Sequence, residues 1–127
     1  MHDLESDTRA ATSDDMTLHR YALDAVRDIV LVVSEDGSLR DANLSAEQAY
    51  GYPRDVLLSL GIADLRAPES RSEVAEQYRR ALEHGITFET VHVRKDGSTF
   101  PVEVSSSPLR YGGMGGVISV VRDITRR

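Results

Sequence analysis

Histidine is the first side chain to consider for chemistry in this chain of 127 residues, because the sequence contains no cysteine. Without cysteine there is no disulfide, thiolate nucleophile, cysteine-type zinc site or cysteinyl cofactor adduct. The four histidines, His2, His19, His84 and His92, are scattered, and no two have the spacing of a helical metal site. The sequence therefore predicts neither a metal site nor a catalytic centre.

Two of these histidines have a predicted place in the fold. His84 stands directly before Gly85, which is typical of a helix C-terminus, where a cation meets the negative end of the helix dipole. His92 lies in an alternating run together with Phe88 and Thr90, and two interpretations stay open. It is either a cavity-facing imidazole that could donate, accept or change charge, or a half-exposed strand histidine.

Several arginines and tyrosines also allow a ligand-binding and a structural interpretation. Arg66 and Arg71 could face an anionic ligand, but arginines near helix ends are commonly solvated, and we favour solvation. Tyr50, Tyr52 and Tyr78 could offer a hydroxyl to a ligand or pack in the core, and core packing is the expectation.

The composition indicates one globular domain. Apolar residues make up 40% and charged residues 28% of the chain, and the net charge of −6 argues against a nucleic-acid-binding protein. The longest apolar run, residues 29–33, is far shorter than the ~20 residues of a membrane span, and the N-terminus lacks signal-peptide features. We therefore expect a cytoplasmic protein that binds neither nucleic acid nor membrane.

The first part of the chain divides into a polar lead-in and a helix. Residues 1–15 are acidic and lack an apolar period, so they are predicted to be disordered. From residue 16 to residue 28 an amphipathic helix is predicted, because Leu18, Ala22, Ala25 and Ile29 recur at spacings of four, three and four. This stripe is wide enough to cover both its own sheet and a partner, so these residues are the predicted interface of a parallel homodimer.

The remaining sequence predicts an α+β fold. Residues 29–34 and a second strand ending near Asn43 flank the hairpin turn `EDGS`. Short helices are predicted at residues 45–51, 53–60 and 70–85, with capping boxes beginning at Ser45 and Ser70. Alternating strands follow at residues 88–94, 99–109 and 116–124. The expected architecture is a five-stranded antiparallel sheet with the short helices on one face.

Three stretches, in this order, resemble the PAS family of sensory domains. They are `VVSEDGSLRDANLSAEQAYGY` at residues 32–52, `RKDGSTFPVEV` at residues 94–104 and `VVRDITRR` at residues 120–127. The resemblance implies a PAS domain at residues 29–125, with residues 126–127 beginning a linker to a C-terminal output domain. Such domains sense a small ligand or partner, usually as dimers, and are not enzymes themselves.

The resemblance also implies a place in signal transduction. The output domain would be a histidine kinase of a two-component system, a cyclase or a transcription regulator. The alternative from another class is a stand-alone small-ligand binding protein or enzyme on a similar curved sheet, because a fold does not by itself fix a function.

Specific residues acquire expected roles from the resemblance. Phe88, His92, Val104, Ser106 and Tyr78 are expected to border a ligand cavity on the inner face of the sheet. Asn43 matches a position that the family typically fills with asparagine, and it is expected to cap the next helix.

The last strand is expected to carry the signal. In the family, the triplet corresponding to Asp123, Ile124 and Thr125 couples the sheet to the output helix. Thr125 would cap that helix, and Asp123 would place a negative charge near its positive end.

The resemblance limits the choice of cofactor without naming one. The flavin-photosensor branch carries a reactive cysteine after the region equivalent to `GIADLRAP`, residues 61–68, and the absence of cysteine excludes that covalent adduct. The haem-binding branch carries an axial histidine at a position that corresponds approximately to Arg71, and arginine does not ligate iron. Haem is therefore not expected, and the identity of any ligand stays open.

Overall fold

The computed structural model describes residues 17–111 and 113–126. The predicted disorder of residues 1–15 lies outside the described residues. Residues 17–25 are helical and form α1. The elements that follow are β1 (Ile29–Ser34), β2 (Leu39–Ala42), α2 (Leu44–Tyr50), α3 (Arg54–Leu57), α4 (Ile62–Leu65), a 3₁₀-helix (Pro68–Glu73), α5 (Val74–His84), β3 (Ile86–Val93), β4 (Thr99–Tyr111) and β5 (Met114–Asp123).

The five strands form one antiparallel sheet in the order β2-β1-β5-β4-β3. The hydrophobic core joins inner-face residues of the sheet, such as Leu31 and Val102, to Tyr50 of α2, Leu57 of α3 and Leu65 of α4. The α+β class and the five-stranded sheet are therefore confirmed. The first and last strands in sequence, β1 and β5, are neighbours, which places β5 in the centre of the sheet with partners on both sides.

Both `DGS` turns have the geometry that the sequence predicts. In the first, Gly37 has a φ of 87° and Asp36 Oδ1 accepts a hydrogen bond from the Ser38 amide at 3.0 Å. In the second, Gly97 has a φ of 89° and Asp96 Oδ1 accepts from the Ser98 amide at 2.9 Å. Glycine tolerates the positive φ, and the aspartate closes the turn through its side chain.

The predicted capping boxes at Ser45 and Ser70 are wrong. The N-cap of α2 is Asn43, whose Oδ1 accepts from the Ala46 amide at 3.1 Å, so the role assigned to Asn43 is confirmed. Ser70 lies inside the 3₁₀-helix, and α5 begins after Glu73 without a side-chain cap.

The helix α1 ends at residue 25 instead of residue 28. In a longer helix the Leu23 carbonyl would accept from the amide four residues on. Instead, the Asn43 amide group donates to the carbonyls of Leu23, Val26 and Asp28 at 3.1, 3.2 and 2.9 Å. These three bonds turn the chain out of the helix and into β1.

The assignment of Ile29 to the dimer stripe is also wrong. Ile29 is the first residue of β1, pairs with Val121 of β5 and is only 4% exposed. Its spacing from Ala25 continues a helical period by coincidence, because a buried strand begins there. Of the predicted interface residues, Leu18, Ala22 and Ala25 are exposed on α1.

Candidate functional site

A small cavity lies between the inner face of the sheet and α4 and α5. Its lining brings together all five residues predicted for a ligand site, which are Phe88, His92, Val104, Ser106 and Tyr78. The cavity volume is about 40 Å³, whereas a single water needs roughly 10–15 Å³ and the pockets that hold drug-sized ligands have volumes of roughly 300–1,000 Å³. The cavity therefore has room for a few waters or one very small molecule.

The strand register explains why the sheet residues converge. Phe88 of β3 lies opposite Val104 of β4, and His92 lies opposite Phe100. Because side chains alternate between the two faces of a sheet, Val104 and Ser106 share the inner face with Phe88 and His92. This facing was predicted from the alternating pattern, and it is confirmed.

A pair of buried serines forms the polar part of the sheet wall. Ser106 of β4 and Ser119 of β5 are direct partners in the ladder, and their hydroxyl oxygens are 2.7 Å apart. Ser119 was not among the predicted site residues. Its alternation with Val117 and Val121 on one face of β5 was the signal that could have found it.

Arg66 lines the cavity and is buried, with only 5% of its surface exposed, so the predicted solvation is wrong for this residue. It follows α4 with an extended backbone and forms an isolated bridge with His92 of β3. That bridge fixes the residue against the sheet, and its side chain lies inside. Arg71, by contrast, is exposed, as expected, and its Nε donates to the Arg66 carbonyl at 3.1 Å.

The Arg66 guanidinium is held mainly by neutral groups. Nη1 donates to Gln77 Oε1 at 2.8 Å and to the Ser70 carbonyl at 3.4 Å, and Cζ lies 5.4 Å from the centroid of the Phe88 ring. Burial lowers the pKa of Arg66, while the charge of Glu73 opposes this effect. Arg66 Nε is buried and has no hydrogen-bond partner within the described part of the chain.

His92 is 6% exposed, so its interpretation as a half-exposed strand histidine is wrong. Its Nδ1 lies 2.6 Å from the hydroxyl of the fully buried Tyr50. Burial, with a smaller effect from the Arg66 charge, lowers the pKa of His92 to about 3. Burial also raises the pKa of Tyr50. Both rings are therefore neutral near pH 7 and form a fixed polar pair in the cavity wall.

Tyr52 and Tyr78, the other two tyrosines expected in the core, both pack against it, as predicted. The Tyr78 hydroxyl donates to the Ser34 carbonyl, and it lies 3.3 Å from the Val33 carbonyl oxygen. Burial, together with the charges of Asp36 and Glu35, raises the pKa of Tyr78 to about 12. Its ring lines the cavity while its hydroxyl is already bonded to β1.

The predicted coupling triplet forms a compact turn at the end of β5. Asp123 Oδ1 accepts hydrogen bonds from the Thr125 amide at 2.9 Å and from the Thr125 hydroxyl. The Ile124 amide donates to the Pro101 carbonyl at 3.0 Å, which ties the turn to β4. Asp123 therefore closes this turn with its side chain. The capping of an output helix by Thr125 stays a prediction.

The remaining polar candidates do not join the cavity. His84 is exposed at the C-terminal end of α5, as predicted, with Nδ1 2.8 Å from the Gly85 carbonyl oxygen. Within residues 17–111 and 113–126, no group of three or more His, Asp or Glu side chains is arranged to hold a metal ion. None of the helices in these described ranges has the length and apolar character needed to span a membrane.

Comparison with known proteins agrees with this fold. The family model described as PAS domain matches residues 27–126, and the chain therefore belongs to the PAS domain family. It is 31% identical over 110 residues to the methyl sulfide methyltransferase-associated sensor of Methanosarcina acetivorans. That match covers 85% of this chain and 11% of the sensor, so the chain spans about a ninth of the length of that relative.

Solved structures show the same architecture. A PAS domain from Colwellia psychrerythraea superposes with a TM-score of 0.79 at 26% identity, covering 88% of this chain and 98% of that one. A PAS domain of a two-component sensor histidine kinase superposes with a TM-score of 0.76 at 19% identity, with the same coverage of 88% and 98%. The second likeness shows the fold alone. The chain is thus a sensory domain of the kind found in signalling proteins. PAS domains are generally not enzymatic.

Proposed function

We propose that this chain is a cytoplasmic sensor that converts the occupancy of its inner cavity into control of a C-terminal output domain. The observation that carries this proposal is the course of β5. Ser119 and Val121 form part of the cavity wall, and Asp123 follows on the same strand. A change at the cavity is therefore two residues away from the turn that leads out of the domain.

The structure of β5 suits it to transmit such a change. Val121 pairs with Ile29 of β1 on one side and with Val104 of β4 on the other, so this part of the strand is held in a rigid ladder. The turn at Asp123 is the softer element, because one capping interaction contributes about 1 kcal/mol. A bias of that size changes a two-state equilibrium several-fold.

The output domain would be a histidine kinase, a cyclase or a transcription regulator, in line with the signalling proteins in which this family occurs. A stand-alone binding protein or enzyme has less support. The imidazole in the cavity wall, His92, is neutral near pH 7 and is already bonded to Tyr50, which does not suit it to proton transfer.

Replacing Asp123 with Ala is expected to separate signalling from stability. In a chimaera that joins this chain to a histidine kinase core, Asp123→Ala should change autophosphorylation about threefold or more, because the turn loses its cap. The thermal unfolding midpoint of the 127-residue chain should fall by only a few degrees, roughly the effect of 1 kcal/mol.

The chain offers a matched control in its second hairpin turn. Asp96 makes the same two hydrogen bonds, accepting from the amide and hydroxyl of Ser98 at 2.9 and 2.6 Å, but it lies outside β5. Asp96→Ala should leave the kinase activity of the chimaera unchanged. Equal activity of the wild-type and Asp123→Ala chimaeras would contradict the proposal.

We further propose that the sensor is a homodimer formed through α1. Arg20 anchors the helix to the domain, with Nη2 2.5 Å from Asp41 Oδ1 and Nη1 3.1 Å from the Ala42 carbonyl oxygen. Away from this anchor, Leu18 is 67% exposed and Tyr21 is 74% exposed. Two such apolar side chains on one short helix favour a partner helix.

The substitution Leu18→Asp is expected to convert this dimer into a monomer, because it places two like charges in the proposed interface. Light scattering of the 127-residue chain at about 50 μM, a concentration at which micromolar dimers are populated, would measure the change. Val56→Asp adds the same charge at a valine on α3 that is 37% exposed, and it should remain dimeric. A wild-type monomer, or a dimer that Leu18→Asp leaves intact, would overturn the proposed interface.

A further inference from the structure

The charge state of the cavity indicates what kind of ligand it takes. Arg66 is a buried cation, yet no carboxylate within the described residues lies within 4.0 Å of its guanidinium nitrogens. Glu73 acts on Arg66 only from beyond that distance. Arginine keeps its proton at neutral pH even when buried. A buried charge is costly without a partner of opposite charge, so this site favours an anion.

Several hydrogen-bond donors belong to residues that line the cavity. Arg66 Nε is buried without a hydrogen-bond partner among the described residues. In the bond between Ser106 and Ser119 one hydroxyl donates, which leaves the proton of the other for a ligand. Gln77 accepts from Arg66 through Oε1, so its amide nitrogen is the end that can donate to a ligand. The described cavity lining contains no Asp or Glu side chain that would repel an anion.

The remainder of the lining is apolar. Leu31, Ile62, Val74 and Ala81 line the cavity with apolar side chains. A ligand that satisfies both parts has one anionic end and a short apolar end. The volume of about 40 Å³ limits the ligand to roughly four non-hydrogen atoms, since one water already needs roughly 10–15 Å³.

We propose that the cavity binds a short-chain monocarboxylate of about the size of acetate. Its carboxylate accepts hydrogen bonds from Arg66 Nε, Gln77 and the serine pair, and its methyl group packs against the apolar walls. This inference rests on the proposed sensory function and gives that function a ligand class.

Titration of the ¹⁵N-labelled 127-residue chain with sodium acetate tests the inference, with sodium chloride at equal ionic strength as the reference. The Arg66 Nε–Hε signal should shift and saturate with a Kd near 1 mM, about what four heavy atoms can provide. Acetamide, which is neutral and has nearly the same shape, should bind at least about tenfold more weakly, because it lacks the charge.

Substitutions locate the site. Arg66→Met should weaken acetate binding about tenfold or more, whereas Arg80→Met, at an exposed arginine on α5 outside the cavity lining, should leave the Kd unchanged. Ser106→Ala removes a donor with a smaller change of volume and should also weaken acetate binding. It replaces Arg66→Met in the test if that variant does not fold. Backbone amide shifts of residues 104–106 and 119–121 would report the binding in these variants.

Three results would overturn the inference. They are no saturable shift up to about 50 mM acetate, acetamide binding as tightly as acetate, and an unchanged Kd in both cavity variants.

The chimaera assay distinguishes this inference from the proposed function. If acetate binds but Asp123→Ala leaves the activity of the chimaera unchanged, the ligand class is supported and the sensor function is contradicted. If acetate does not bind but Asp123→Ala changes the activity, the sensor function is supported and the ligand class is contradicted.

Discussion

The substitution Val102→Asp is expected to unfold the domain, or to lower its thermal unfolding midpoint by about 15 °C or more. Val102 is completely buried in the core on the inner face of β4. A carboxylate there would lie among the apolar side chains of the core, and an unpaired buried charge costs about 3–5 kcal/mol. Val104 is less suitable for this test, because it lines the cavity where Arg66 could pair with the new carboxylate.

Val120→Asp is the matched control for this experiment. Val120 lies on the neighbouring strand β5 but is 37% exposed on the outer face. The substitution is chemically the same, but the new carboxylate is in contact with water. It should therefore change the unfolding free energy by less than about 1 kcal/mol. Circular dichroism melts of the two variants make the comparison. Similar melting of both would show that the assignment of sheet faces is wrong.

Asn43→Ala is expected to be nearly as destabilising. The side chain is completely buried, and it accepts from the amides of Val30 and Ala46 at 2.9 and 3.1 Å. It also donates to three carbonyls at the junction between α1 and β1. Its removal takes the Asn43 partner from the Val30 amide and the Asp28 carbonyl at about 1–3 kcal/mol each, while the Leu23 and Val26 carbonyls and the Ala46 amide keep a second hydrogen bond. The unfolding free energy should therefore fall by about 3 kcal/mol or more.

Urea denaturation measures this loss, with Gln48→Ala as the control. Gln48 carries the same amide group on α2 but is exposed, so its removal should cost less than about 0.5 kcal/mol. A loss below about 1 kcal/mol for Asn43→Ala would mean that water replaces the amide and that Asn43 does not hold the junction together.

The sheet and the facing of its residues could be predicted because they depend on local patterns. The alternation in β3 and β4 placed Phe88, His92 and Ser106 on one face, and the two `DGS` turns fixed the hairpins. Period two leaves little ambiguity once one face of a sheet is buried.

The position of Arg66 could not be predicted from local patterns. It is decided by a backbone bridge to His92, 26 positions later in the chain, and by burial next to Phe88. In the sequence alone, an arginine in a segment between two predicted helices looks like an ordinary solvated residue. The cavity lined by its side chain is therefore a tertiary feature.

The end of α1 could not be predicted from local patterns either. Ile29 continues the apolar spacing of the helix, but Asn43 binds the carbonyls of Leu23, Val26 and Asp28 and redirects the chain into β1. A side-chain contact between distant residues thus overrides the local helical period. A pattern read from neighbouring residues does not contain this contact.

The most direct test of the central claim is a double-mutant cycle in the histidine kinase chimaera. Ala81 lines the cavity on α5 and is 2% exposed, so Ala81→Val fills part of the space without any ligand. If occupancy is transmitted along β5, Ala81→Val should change autophosphorylation about threefold, and Asp123→Ala in the same chain should abolish that change. Independent, additive effects of the two substitutions would contradict the account.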